Sequence, residues 1–159
     1  ARLCRRRPPR ELERTYRHFS LARSTERRAL GLKHLRARRP IMPPQGKVHD
    51  LTRLFGKLNR RYFAGRLARP QLGWSVRGWR TQLGCFDPVL DRIVINSQLD
   101  RARVPGLVIE YVLFHEMLHV KYPMRVASCG FELHAAEFRR EEKQFHGYER
   151  ARRFLARLA

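Results

Sequence analysis

The stretch EYVLFHEMLHV, from Glu110 to Val120, constrains the fold most, because it places three polar side chains inside an apolar run. The polar residues are His115, Glu116 and His119. Burying such groups costs free energy unless each finds a partner. Pro105 and Pro123 bound the run, which is apolar nearly all round. The sequence therefore predicts a helix buried at the centre of the protein.

The polar residues of this helix form the pattern H-E-x-x-H. Residues four apart on a helix lie one turn apart on the same face, so His115 and His119 can bind one metal ion together. Zinc suits imidazole ligands, and a catalytic zinc site keeps one position for water, whose pKa falls to about 7. Glu116 would take the proton of that water and pass it to the leaving amine. The pattern predicts a zinc metalloprotease with one catalytic ion and Glu116 as its catalytic acid and base.

A catalytic zinc ion needs a third protein ligand. Downstream candidates are Cys129, Glu132, His134, Glu137, Glu141 and His146. His134, Glu137 and Glu141 are spaced to share one face of a helix predicted over residues 132–145. Histidine and glutamate both serve as third ligands of zinc, so the spacing leaves His134 and Glu137 as alternatives.

The remaining pattern predicts an α+β fold. Apolar residues recur at helical spacing from Val48 to Tyr62, and another helix is predicted from Tyr148 to Leu158. Three short strands are predicted at LGWSVR, RTQLGCF and DRIVIN, with Gly78 and Gly84 as bends. We expect a small three-stranded sheet packed on the central helix. Residues 1–39 are predicted to form a basic helical extension, residues 40–46 a Pro/Gly linker, and residues 47–159 the domain itself.

Charge points to a polyanionic partner. The chain has 35 Lys and Arg against 14 Asp and Glu, a net charge of +21, of which residues 1–39 carry +11. Arginine forms forked contacts with phosphate, and an aromatic ring beside arginine can stack on an unpaired base. The predicted nucleic-acid contacts are Arg5, Arg6, Arg7, Arg77, Trp79 and Arg80. Trp74 is predicted to lie in the core. The alternative is that the basic surface only keeps the protein soluble.

Three cysteines without a Cys-x-x-Cys pair argue against a disulfide scaffold and a cysteine zinc ribbon. We expect a cytoplasmic monomer, associated with the nucleoid if the source is bacterial. No apolar run reaches the length of a membrane span, and no membrane partner is expected, with an anionic membrane surface as a minor alternative for the basic charge.

The sequence resembles the SprT-like zinc metallopeptidases, the family of the bacterial SprT and Spartan-type protease domains. The resemblance covers roughly residues 48–146. The stretches that carry it are LFGKLNRRYFAGRL, LGWSVR, RIVINSQLD, EYVLFHEMLHV and HAAEF. The family's fold is zincin-like, of a minimal gluzincin type, with a small sheet over the active-site helix and a cleft between them.

The resemblance selects His134 as the third zinc ligand, because the family's third histidine opens an H-G-x-x-F or H-x-x-E-F stretch. Glu137 then supports the site or packs its helix, and Ala135 replaces a frequent glycine. The family's cysteine zinc-binding elements and partner-binding tails are missing from these 159 residues. The resemblance also implies DNA–protein crosslink repair, with DNA, single-stranded or structured, as a partner.

A peptidase also needs a group that stabilises the developing oxyanion. Its candidates are Tyr122, Arg125, Arg139 and Tyr148. The function expected is endopeptidase cleavage of DNA-associated or DNA-crosslinked proteins. Two alternatives are a small zinc peptidase without a DNA role and a non-catalytic nucleic-acid-binding protein that zinc stabilises. An intact Glu116 argues against the second alternative, because a structural zinc site does not need it.

Overall fold

The computed structural model describes residues 40–122, 125–127, 130–132 and 134–158. The predicted basic extension, with Arg5, Arg6 and Arg7, lies outside the described residues. The chain divides into two compact units, and the larger comprises Pro40–Pro123 and His134–Ala159. In the smaller unit, strands β5 (Arg125–Ala127) and β6 (Gly130–Glu132) form an antiparallel hairpin.

The larger unit is a mixed α+β structure, as predicted. Its strands are β1 (Ile41–Met42), β2 (Gln71–Ser75), β3 (Gly84–Asp87) and β4 (Arg92–Ile95). Its helices are α1 (Leu51–Tyr62), α2 (Gly106–Lys121), α3 (Ala136–Lys143) and α4 (Tyr148–Ala156). A short 3₁₀ turn, Ser97–Leu99, follows β4. None of the helices within the described ranges is long and apolar enough to cross a membrane.

The sheet has four strands in the order β1-β2-β4-β3, so the prediction of three strands was wrong. The predicted strands correspond to β2, β3 and β4, and the additional strand β1 lies within the segment predicted as a linker. β1 pairs antiparallel with β2, through Ile41 opposite Ser75 and Met42 opposite Trp74. Two residues between prolines are too few to show the alternation of apolar and polar residues that marks a strand. Prolines are tolerated there because β1 is an edge strand.

Helix α2 occupies the centre of the core, as its composition predicted. Ile109, Leu113, Met117 and Leu118 of this helix are fully buried. The core also contains Trp74 of β2, which is 1% exposed, so its prediction as a core residue is confirmed. Its indole Nε1 donates a hydrogen bond to the carbonyl oxygen of Pro44 at 3.1 Å, which leaves no unpaired polar group on this buried ring.

A single carboxylate joins the segment before α1 to the segment after β4. Asp100 accepts hydrogen bonds from the backbone N–H groups of Lys47 (2.5 Å), Val48 (3.0 Å) and His49 (3.0 Å). A Cβ at Gly46 would collide with the Asp100 carboxylate, so glycine is required for this close approach. Asp50 then caps α1 by accepting from the N–H groups of Thr52 and Arg53.

Replacing Asp100 by alanine is expected to lower the free energy of unfolding by about 1–3 kcal/mol, because three backbone N–H groups lose a charged acceptor. Urea denaturation followed by circular dichroism measures the change. Glu149→Ala, which removes an exposed carboxylate of α4, is the control. Equal midpoints for the two variants would show that the Asp100 contacts contribute nothing to stability.

Candidate metal-binding and catalytic site

The centre of the candidate site is the last two turns of α2. His115 and His119 lie on one face of this helix, and both are half-buried. Their rings meet edge to face, with centroids 5.0 Å apart. Glu116 lies beside them and is only 6% exposed. The apolar residues on the other faces of α2 belong to the core, and this burial holds the two histidines in place.

His134 joins the two histidines of α2. One ligand nitrogen from each of His115, His119 and His134 can be chosen so that all three lie within 4.8 Å of one another. The Nε2 atoms of His119 and His134 are 3.2 Å apart. These residues are therefore close enough to bind one metal ion. Among the residues whose side chains are described, no other group of three or more metal-binding side chains comes together in this way.

His134 does not lie on a helix, in contrast to the prediction that it shares a helical face with Glu137 and Glu141. Helix α3 begins at Ala136, with Ala135 as its N-cap residue. His134 lies in the chain that leads into the helix, where it is free of helical geometry and can approach α2. Glu137 is exposed in the first turn of α3.

The acid–base properties of the histidines suit a metal ligand. Burial, together with the neighbouring charges of His115 and His134, lowers the pKa of His119 to about 4. Burial and the charge of His115 lower the pKa of His134 as well. Both imidazoles are therefore neutral at pH 7, which is the form that offers a nitrogen lone pair to a metal ion. The donor set fits an ion that accepts imidazole ligands.

Phe138 of α3 covers one side of the three histidines. Its side chain is fully buried. The centroid of its ring lies 5.1 Å from that of His115, 4.7 Å from that of His119 and 4.6 Å from that of His134. This packing contributes to the burial that lowers the pKa values of His119 and His134.

Glu116 points towards the edge strand β3. Burial raises its pKa to about 7, although the charge of His115 and a hydrogen bond from the backbone N–H of Phe86 act in the opposite direction. A Cβ at Gly84 would lie 2.7 Å from Oε1 of Glu116 and 2.9 Å from its Cγ. Gly84, predicted as a bend, is therefore a strand residue whose missing side chain makes room for this carboxylate.

Glu142 of α3 is part of the site, although no motif in the sequence marks it. Nδ1 of His115 lies 2.7 Å from Oε1 of Glu142. The hydroxyl of Tyr111 donates to the same oxygen at 2.8 Å. Burial raises the pKa of Glu142, but the hydrogen bonds from His115 and Tyr111 outweigh it and leave the pKa below its usual value. Glu142, five positions after Glu137, is thus the glutamate of α3 that contacts a histidine of the cluster.

The four predicted oxyanion stabilisers differ in their surroundings. The Tyr122 hydroxyl donates to Oε1 of Glu141 at 2.6 Å, and Lys121 contacts the same carboxylate. The Tyr148 hydroxyl accepts from Arg152 at 3.0 Å. Arg139 is exposed on α3, and its charge contributes to the lowered pKa of His134. The side chain of Arg125 lies outside the described part of the chain.

The predicted nucleic-acid contacts Arg77, Trp79 and Arg80 lie in the loop between β2 and β3 rather than in a strand. Both arginines are exposed, and Trp79 is half-buried. The side chain of Asn96 fixes the loop, because it accepts from the Trp79 N–H at 3.2 Å and donates to the Trp79 carbonyl oxygen at 2.9 Å.

Comparisons of the chain with protein-family models, with curated proteins and with solved structures found no match.

We expect His134→Ala to bind markedly less metal than the unmodified protein, because the cluster loses one of its three ligand nitrogens. Glu137→Ala should bind the usual amount, because Glu137 is exposed on α3. Elemental analysis of dialysed protein measures the metal content. The assignment of His134 fails if the two variants retain equal amounts of metal, or if Glu137→Ala alone loses it.

Proposed function

We propose that this protein is a zinc-dependent endopeptidase with a zincin-like fold, related to the SprT-like metallopeptidases that its sequence resembles. The supporting observation is the meeting of three imidazoles, two from α2 and one from the segment before α3, with the buried carboxylate of Glu116 on α2. His115, His119 and His134 would hold the zinc ion. Glu116 follows His115 directly and has a pKa raised to about 7 by burial.

The chemistry divides between the ion and the chain. Zinc, when bound by the three imidazoles, would lower the pKa of water to about 7 and polarise the scissile carbonyl group. Glu116 accepts a proton from the attacking water and delivers it to the leaving amine. Burial raises the proton affinity of this carboxylate, which suits a group that first accepts a proton and then delivers it. Gly84 leaves room for this carboxylate beside β3, and the Phe86 N–H donates a hydrogen bond to it.

DNA-associated or DNA-crosslinked proteins are the proposed substrates. The supporting observation is the distribution of charge on the larger unit. Helix α1 contains no acidic residue, and its exposed residues include Arg53, Arg60 and Arg61, while Lys57 pairs with Glu110 of α2. Arg77 and Arg80 add exposed charge on the β2–β3 loop. Such surfaces attract the phosphate backbone irrespective of base sequence. A peptidase without a DNA role is the alternative, and its substrates would be free proteins.

We expect Glu116→Gln to reduce peptidase activity by at least about 100-fold, because the amide cannot carry the water's proton. The zinc content should stay unchanged, since the three histidines remain. Cleavage of a basic, DNA-binding protein substrate, measured with and without added zinc, tests this. Equal activity of the variant and the unmodified protein would exclude the catalytic role of Glu116. Activity that survives complete removal of metal would exclude the role of zinc.

Single-stranded DNA is expected to accelerate cleavage of a DNA-binding substrate at low salt, and the acceleration should decline steeply as salt rises. The same assay on a peptide without affinity for DNA separates substrate recruitment from activation of the enzyme. Arg77→Glu combined with Arg80→Glu should weaken the DNA effect, while the zinc content stays the same. Cleavage rates that ignore DNA at every salt concentration would favour the peptidase without a DNA role.

A further inference from the structure

We propose that Glu142 is a positioning residue for the metal site. It would fix the ring of His115 so that Nδ1 faces α3 and Nε2 faces His119 and His134. The affinity of the site for zinc would then depend on a carboxylate that is not itself a ligand. This inference rests on the three-histidine zinc site of the proposed function and adds the residue that orients it.

The contact between His115 and Glu142 is short, and it selects one tautomer of the histidine. Nδ1 of His115 lies 2.7 Å from Oε1 of Glu142, and the two residues are separated by 27 positions in the chain. An ionised carboxylate only accepts hydrogen bonds, so the proton of the pair belongs to Nδ1 of the imidazole. The lone pair of a neutral imidazole then resides on Nε2, the other ring nitrogen. The Glu142 contact therefore selects the tautomer in which Nε2 can bind a metal ion.

Tyr111 fixes Glu142 in turn. Its hydroxyl donates to the same Oε1 atom at 2.8 Å. Tyr111 lies one helical turn before His115 on α2. The Tyr111 ring is held by two aromatic neighbours, with centroid distances of 5.5 Å to Phe145 and 5.7 Å to Tyr148. The carboxylate thus has two donors from α2, and its position is set by the packing of α2 against the elements that follow it.

The neighbouring Glu141 provides a contrast on the same helix. It lies 2.6 Å from Nζ of Lys121 and accepts from the Tyr122 hydroxyl at 2.6 Å. No hydrogen bond joins it to His115, His119 or His134 among the described side chains. The two adjacent glutamates therefore lie on the same helix and carry the same charge, but they have different partners. This makes Glu141→Gln a matched control for Glu142→Gln.

Groups that orient a zinc-binding histidine change metal affinity by about 10–100-fold when they are removed. We expect Glu142→Ala to weaken zinc binding by that factor. Glu142→Gln should weaken it by about fivefold or more, since its amide oxygen is an uncharged acceptor for Nδ1. Tyr111→Phe should produce a smaller loss, because Glu142 keeps its bond to His115. Glu141→Gln should stay within about twofold of the unmodified protein.

The measurement is a competition titration of metal-free protein with zinc against a chromophoric chelator. Cobalt titrations supply a second readout, because the visible absorption of bound cobalt reports the geometry of its ligands. We expect the cobalt spectrum to change in the Glu142 variants and to be preserved in Glu141→Gln. Circular dichroism of each metal-free variant establishes that it is folded. If Glu142→Ala is unfolded, the glutamine variant decides.

The outcomes separate this inference from the proposed function. Zinc affinity within twofold of the unmodified protein in a folded Glu142 variant, with an unchanged cobalt spectrum, would overturn the positioning role even if Glu116→Gln abolishes cleavage. Weakened zinc binding in the Glu142 variants, in a protein that cleaves no substrate, would support the positioning role and overturn the peptidase. An equal loss of affinity in Glu141→Gln would also overturn the inference, because any change on α3 would then have the same effect.

Discussion

The burial of α2 determines which partners the other elements must supply. This helix contributes apolar side chains on almost every face, and nine of its residues, Glu116 among them, are buried. Polar groups held by such a helix lose their water, so each needs a partner within the protein. β3 supplies the Phe86 N–H to Glu116. α3 supplies Glu142 to His115. The segment before α3 brings His134 to His119. Two separate parts of the chain, β3 and the stretch from His134 through α3, therefore supply partners to the polar groups of α2.

Two carboxylates near the same histidine have opposite pKa shifts, and their surroundings explain the difference. For Glu116, burial outweighs the charge of His115 and one N–H donor, so its pKa rises to about 7. For Glu142, the donors His115 and Tyr111 outweigh burial, so its pKa falls. A carboxyl group that exchanges protons and one that stays ionised are thus produced from the same residue type. The first suits proton transfer, and the second suits the fixing of an imidazole ring.

The sequence predicted those features that arise from local spacing. The buried helix, its two histidines and the neighbouring Glu116 follow from a periodic pattern in one stretch, and the structure has this helix at Gly106–Lys121. β1 has only two residues and pairs with residues more than 30 positions away, so no local pattern marks it. Glu142 was missed for the same reason, because its role in the site depends on a contact with His115, 27 positions earlier in the chain. The sequence predicts a bend at Gly84, because a glycine within a strand signals both a bend and a close approach, and only the position of Glu116 distinguishes them.

The ring of Phe138 covers one side of the histidine cluster. Its buried ring contacts all three imidazoles, so water is excluded from that side of the cluster. Phe138 has no polar atom, so it adds no ligand of its own to the three imidazoles. Any ion or further ligand that reaches these imidazoles must approach from a side that the Phe138 ring does not cover.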